Sequence, residues 1–237
     1  MRINCLIENI NTNDNEIILT GSVTHHLRKV LRIKTNQKLT IFNGKGDYYN
    51  VLVDVIQKDK ILTSIISHSF EEKPKLTIDL YQAIPKNNRW EIILQKAVEL
   101  GVTNIYPIIS ENTENKFNEK KFLRWKQIIN SAAEQSECRW VPILHYPKSY
   151  MSSLEKITNY DISLIGSLCL NSKKLKDISW NEIKKISLLI GPEGDFSITE
   201  INHAIDKGAV PVSFGSQVLR TETAAIFGLS IIIHELR

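Results

Sequence analysis

Arg220 and Glu222 stand two residues apart in Leu219-Arg220-Thr221-Glu222-Thr223-Ala224, directly after a short apolar run and directly before a helix-like pattern. A cation and a carboxylate brought to the same edge are an enzyme-like arrangement. Earlier in the chain, Gly191-Pro192-Glu193-Gly194-Asp195-Phe196 has the same placement between an apolar run and a helix-like pattern. Its glycines let a ligand approach the backbone closely. In open α/β sheets ligands bind just beyond the carboxyl ends of strands, so the two loops point to one shared site.

The chemistry of that site is narrowed by what the loops lack. Gly191-Pro192-Glu193-Gly194 is followed by no Gly-Lys-Ser/Thr and is not GxGxxG, so both phosphate fingerprints fail. Pro192 removes a backbone donor and Glu193 adds negative charge, a poor combination for phosphate. It suits a cationic or neutral ligand, such as an adenosine carrying a sulfonium. An ordinary tight turn leading into a helix cap satisfies the tetrapeptide as well. In the second loop Thr221 can serve as N-cap and Glu222 suits the helix dipole. Arg220 reads either as a solvated arginine or as a residue facing an anion, because a cation directly before a helix N-terminus is otherwise electrostatically misplaced.

The elements that must position these loops follow from periodicity. Residues 1 to about 70 read as mostly β, with short runs at Glu16–Leu19, Lys38–Phe42, Asn50–Val55 and Ile61–Ile66, a turn at Asn43–Asp47, and one short helix at Val23–Leu31 whose apolar face is Leu27, Val30 and Leu31. Several short strands in so short a stretch indicate a small barrel. Glu71-Glu72-Lys73-Pro74-Lys75 marks a break, dividing the chain into domains 1–72 and 73–237. Beyond it strands and helices alternate, the α/β signature. Strands are predicted at Leu76–Ile84, Asn104–Ile109, Asp161–Ile165, Ile186–Ile190 and Val210–Phe214. Helices are predicted at Asn88–Leu100 with Gly101 as C-cap, Phe122–Ala133, a Ser197/Glu200 capping box running to Gly208, and Thr221–Leu236.

Composition excludes several classes. The 237 residues are 42% hydrophobic and 24% charged, an ordinary globular balance. No apolar run reaches the length of a bilayer span, so no membrane association is expected. The start at Met1-Arg2-Ile3 has no secretory pattern. Cys5, Cys138 and Cys169 are odd in number and far apart, which indicates neither a disulfide framework nor a metal site and favours the reducing cytoplasm. The net charge of +4 permits an RNA partner without demanding one. Arg28, Lys29 and Arg32 lie near one another on the short N-terminal helix, placed either to contact phosphate or to be solvated. His25 and His26 read as packing residues rather than catalysts.

Leu189-Ile190-Gly191-Pro192-Glu193-Gly194, then Phe214-Gly215, then Val218-Leu219-Arg220-Thr221-Glu222-Thr223-Ala224 closely resemble the RsmE family of SPOUT methyltransferases. Three further stretches resemble that family in order: His25-His26-Leu27 with Val30-Leu31-Arg32, Arg89-Trp90-Glu91 with Lys96–Val102, and Glu134-Gln135-Ser136 with Val141-Pro142. The resemblance covers nearly the whole chain. It implies an α/β SPOUT-type C-terminal domain with a deep trefoil knot, where general connection rules alone predict an open Rossmann-like sheet. It also implies a PUA-like RNA-binding β-barrel in front of that domain. The implied activity is methylation of uridine N3 in 16S ribosomal RNA, in the small ribosomal subunit, by a homodimer using S-adenosylmethionine. Ile190, Gly191, Gly194, Phe214, Gly215, Val218, Leu219 and Thr223 would bind the cofactor, Arg220 and Glu222 would act on the substrate, and Arg89 and Arg139 would join the RNA contacts.

Three departures from the family pattern stand out. Asp195 occupies the place of a third glycine, which is tolerated at negative φ and costs about 1 kcal/mol or more otherwise. Glu137 and Cys138 intervene before Arg139. Ser110–Lys116 lacks the arginine that usually follows its serine-glutamate pair. A non-catalytic RNA-binding assembly factor with the same fold is the competing reading, opposed by the intact Arg220–Thr223 loop. A nucleotide-dependent Rossmann enzyme is disfavoured by the missing fingerprints.

Overall fold

The computed structural model describes residues 3–13, 15–86, 88–114, 117–169 and 171–236, so Met1, Arg2, Asn115 and Lys116 of the stretches above lie outside the described residues. The chain divides into two units, residues 1–73 with 133–141, and residues 74–132 with 142–237.

The first unit is a six-stranded sheet of β1 (Ile3–Leu6), β2 (Thr12–Asn13), β3 (Glu16–Thr20), β4 (Lys38–Phe42), β5 (Asp47–Ile56) and β6 (Lys60–Phe70), in the order β1-β4-β5-β6-β3-β2. Its pairs are antiparallel except β1 with β4. β3 shows the period of two directly: Ile17 and Leu19 are buried, and Glu16, Ile18 and Thr20 are exposed. The expected helix at Val23–Leu31 is instead an α-turn, α1 (Gly21–His25), running into one π-turn over His26–Val30. The wider turn breaks the 3.6-residue spacing, so only Leu27 is buried while Val30 and Leu31 are exposed.

Asn43 closes the β4–β5 hairpin, its side-chain oxygen accepting from the amides of Lys45 and Asp47 at 2.7 and 3.1 Å. Gly46 there has φ +101°, and a Cβ on it would sit 2.5 Å from the Glu71 carbonyl oxygen and 2.9 Å from the Trp140 ring. Gly46→Ala is expected to destabilise the protein by about 2–4 kcal/mol, through overpacking and a forced positive φ. Urea unfolding of the purified variant measures this.

Residues 133–141 are woven into the same unit. Glu134 accepts the Leu6 amide at 2.9 Å, and Trp140 Nε1 donates to the Glu71 carbonyl at 2.8 Å. Among the described residues no cysteine forms a disulfide, and burial, with Glu134 nearby, pushes the Cys5 thiol up to about 12.

The second unit carries β7 (Thr77–Ala83), α2 (Arg89–Glu99), β8 (Asn104–Ile109), α3 (Glu119–Ser136), β9 (Ile143–Leu144), β10 (Lys148–Ser149), α4 (Tyr150–Leu154), β11 (Ile162–Gly166), β12 (Lys173–Lys174), β13 (Lys185–Ile190), α5 (Ile198–Asp206), β14 (Val210–Ser213) and α6 (Thr221–Leu236). The last turn of α3 counts with the first unit. The sheet runs β10-β8-β7-β13-β11-β14-β12, with β9 also pairing β8, and every pair is parallel. Its central strands are almost wholly buried, and the polar residues they carry, Asp79, Gln82, Ser163 and Ser187, are buried with them. α2 buries Trp90, Ile93, Leu94, Ala97 and Val98, spaced three or four residues apart along one face, and Gly101 takes φ +68° beyond its end. The capping box is present: Ser197 and Glu200 each bond the other's backbone. α3 begins and ends three residues beyond the predicted bounds at each end. The two-residue strands β9, β10 and β12 and the single turn α4 are too short to show a period. Among the described residues no helix is long and apolar enough to cross a membrane.

Candidate active site

In the sheet, β13, β11 and β14 lie side by side, so the turns leaving their carboxyl ends become neighbours. Between these turns lies a cavity of about 270 Å³. Gly166, Ser167 and Leu168 bound it after β11, Ile190 to Glu193 and Asp195 after β13, and Phe214 with Gln217 to Thr221 after β14. Arg89, at the start of α2, completes the wall with Ala224.

The floor is a buried clamp. Thr221, 5% exposed, donates its hydroxyl to the Gly191 carbonyl at 2.6 Å. Gln82 Nε2 donates to Thr221 Oγ1 at 3.0 Å and reaches the Ile190 and Gly191 carbonyls at 3.4 and 3.3 Å. Thr221 therefore ties the two loops together instead of capping its own helix, whose first backbone bond is Ala224 N–H to the Arg220 carbonyl at 2.8 Å. The buried Oε1 of Gln82 has no hydrogen-bond partner among the described residues.

The charges are arranged around Arg89. Glu193 Oε1 accepts from Arg89 Nη1 at 2.8 Å and from the Lys86 amide at 2.9 Å. Its negative charge is thus largely offset within the wall. Glu222 Oε2 lies 3.7 Å from Arg89 Nε, and this buried oxygen is hydrogen-bonded to nothing among the described residues. Arg220 lines the cavity with an exposed side chain.

Asp195 takes φ +58°, not the negative φ at which its side chain would be free of strain. It is held there locally, because its Oδ1 accepts the Phe196 amide at 2.8 Å. Asn112, where the family's arginine is absent, secures the same turn: its amide donates to the carbonyls of Gly194 and Asp195 at 3.1 and 3.0 Å. Burial raises the Asp195 carboxyl above its ordinary 3.8 against the lowering effect of the Phe196 amide, and Glu200 adds to the rise. A carboxyl raised on folding binds its proton more tightly in the native state, so its ionisation costs stability as pH rises above the unfolded value. Asp195→Asn, which keeps the acceptor and tolerates left-handed φ, is expected to match the parent below that value. Above it the variant becomes more stable, and the gap levels off once the folded-state value is passed. Urea unfolding across a pH series reads the difference.

Of the residues expected at the cofactor, Ile190, Gly191, Phe214, Val218 and Leu219 line the cavity. Gly194 and Gly215, on the adjoining turns, and Thr223, in the first turn of α6, fall outside its lining, and Gly215 has φ +130°. Arg89, read from the sequence as an RNA contact, stands in the cavity wall. Arg139, read likewise, is 8% exposed, with its guanidinium 5.0 and 4.9 Å from the Phe42 and Tyr48 rings. Its cation is taken up within the first unit. Arg28 donates to the Lys58 carbonyl, while Lys29 and Arg32 are exposed. The sequence reading passed over Gln82 and Gly166. Each left a signal: a polar side chain inside an apolar strand, and a glycine directly after one.

The cavity fits a nucleoside better than a phosphate. Ile190, Phe214 and Leu219 offer apolar surface, the turns offer backbone, and Arg89 is already paired. Gly191 is required by space, since a Cβ on it would lie 2.7 Å from Asp195 Oδ1 and 2.9 Å from the Phe196 nitrogen.

A family model described as RNA methyltransferase domain matches residues 71–233, and one described as RNA methyltransferase PUA domain matches residues 19–66. The chain is 35% identical over 222 residues to ribosomal RNA small subunit methyltransferase E of Mesomycoplasma hyopneumoniae, covering 92% of this chain and 93% of that protein. It is 29% identical to the Bacillus subtilis protein of the same name, over 92% of this chain and 89% of that one. The crystal structure of the Neisseria gonorrhoeae ribosomal RNA small subunit methyltransferase E bound to S-adenosyl methionine superposes with a TM-score of 0.91 at 31% identity, covering 100% of this chain and 98% of that one. The chain belongs to the RNA methyltransferase family whose curated members are named ribosomal RNA small subunit methyltransferase E.

Proposed function

We propose that this chain methylates N3 of a uridine in 16S ribosomal RNA, within the small ribosomal subunit, using S-adenosylmethionine. The observation that carries the reading is the glycine-walled cavity at the carboxyl edge of the parallel sheet, with Arg220 on its rim and Glu222 beside Arg89. The cofactor, when bound, supplies an electrophilic methyl on a sulfonium.

The chain's own residues supply the rest. The Gln82–Thr221–Gly191 clamp holds two turns in one geometry, so a bound nucleoside is oriented before reaction. The uracil imide must lose its proton as N3 attacks, which leaves charge on the uracil oxygens. Arg220 stabilises that charge. Glu222 is the candidate acceptor for the imide proton, through its buried oxygen that forms no hydrogen bond among the described residues. Lys29 and Arg32 contact phosphate, with Arg28 anchoring their turn to the barrel. Reversing charge at Lys29 and Arg32 is expected to weaken RNA binding and flatten its salt dependence by about one to two charges. Filter binding across a salt series checks this, and an unchanged slope removes the pair from the interface.

The C-terminal unit is proposed to carry the SPOUT trefoil knot, a reading supported by the segment before α6 lying against the loop after β13 through Thr221 and Gly191. A homodimer is proposed as well. Ile92 on α2 and Phe227 on α6 leave apolar surface exposed on two helices that pack together. The chain works in the cytoplasm on this reading, where its RNA is.

The deciding experiment incubates the protein with S-adenosylmethionine and small subunits lacking the modification, then maps the RNA by mass spectrometry. One added methyl on a uridine base is expected. RNA binding without methyl transfer would instead support an assembly factor.

A further inference from the structure

Among the described residues, one carboxylate lining the cavity has no counter-ion. Glu193 is held by Arg89 and the Lys86 amide, and Glu222 faces Arg89. Asp195 also lines the cavity, and among the described residues it forms no ion pair. Its side chain is fixed: Oδ1 accepts the Phe196 amide at 2.8 Å and lies across Gly191, 2.7 Å from where a Cβ there would be. Its backbone is held at φ +58° by the Asn112 amide on the Gly194 and Asp195 carbonyls. A glycine would meet the same backbone demand without strain and without a partly buried charge. The carboxylate is therefore the property that distinguishes this wall from a glycine wall.

Two molecules must alternate in such a cavity. The methyl donor carries a positive sulfonium, and the demethylated product carries a neutral thioether. The rest of the two molecules is the same. A fixed carboxylate in the wall favours the cationic member, whereas a wall without net charge has only weaker dipoles with which to tell them apart.

We propose that Asp195 is a specificity-determining residue that makes the site prefer the sulfonium cofactor to its thioether product, and so hastens exchange after each transfer. The inference rests on the cavity being the S-adenosylmethionine site. It does not depend on which nucleotide is methylated.

Calorimetry on the full chain tests it, with S-adenosylmethionine and S-adenosylhomocysteine titrated separately into the parent, Asp195→Asn and Asp195→Gly. Both variants are expected to lose about tenfold of the parent's preference for the sulfonium, mainly through weaker binding of S-adenosylmethionine. The asparagine keeps the hydrogen bond to Phe196 and the glycine relieves the backbone, so a shared loss isolates the charge. An unchanged ratio of the two affinities overturns the proposal, as does equal weakening of both ligands, which would assign Asp195 to loop shape alone. Failure of the parent to bind either nucleoside would defeat the cofactor-site reading itself. Tight binding of both with an unchanged ratio defeats only the role of Asp195.

Discussion

Arg220→Ala is expected to slow methyl transfer to ribosomal RNA by about 10²–10³-fold, the loss typical of removing one donor from a developing anion. Affinity for S-adenosylmethionine should stay near that of the parent. The split follows from geometry. The Arg220 side chain is exposed at the cavity rim, and its carbonyl, which accepts the Ala224 amide at 2.8 Å, survives truncation. Helix α6 therefore starts as before, and Thr221 still reaches Gly191. Single-turnover transfer measured beside calorimetric cofactor binding separates the two effects. Full transfer by the alanine variant would remove Arg220 from the reaction. Lysine should restore part of the rate, because it keeps the charge while losing the planar fork.

Gly191→Ala should act in the opposite sense, weakening cofactor binding before any chemistry. The added Cβ would lie 2.7 Å from Asp195 Oδ1 and 2.9 Å from the Phe196 nitrogen. The second of these is backbone, which cannot swing aside. The turn must shift, and with it the Gly191 carbonyl that Thr221 and Gln82 hold. Overpacking of this kind costs about 1–3 kcal/mol. A matching loss of cofactor affinity is about fivefold to more than a hundredfold, at 1.4 kcal/mol per decade. Calorimetry reads the affinity and urea unfolding reads the stability. Binding at parental strength would show that the turn relaxes freely and that the wall is not built on this glycine.

Much of the fold was legible because it rests on local rules. The buried face of α2, the Ser197–Glu200 capping box and the Asn43–Asp47 hairpin each depend on residues within a few positions of one another. The π-turn at His26–Val30 was not legible, since the residues that would continue an apolar α-face are the same ones the wider turn exposes. Asp195 shows the limit in another way. Its residue type raised the question of φ, but the sign is set by Phe196, Asn112 and the path of the turn together. Arg89 and Arg139 show it for charge. Both are arginines in family-like stretches, yet one joins the cavity wall and the other packs against aromatic rings inside the first unit.

By itself the sequence determined the rhythm of strands and helices, the two C-terminal loops, the absence of phosphate fingerprints in them, and the family they resemble. These are properties of residue type at fixed short spacing, where period and turn chemistry act. Only the tertiary structure decided that β13, β11 and β14 lie side by side, that Gln82 reaches Thr221 across 139 positions, and that Arg89 serves two carboxylates from different elements. Such pairings follow from packing the whole sheet at once, because each partner is placed by the burial of its own strand or helix and not by its neighbours in the chain.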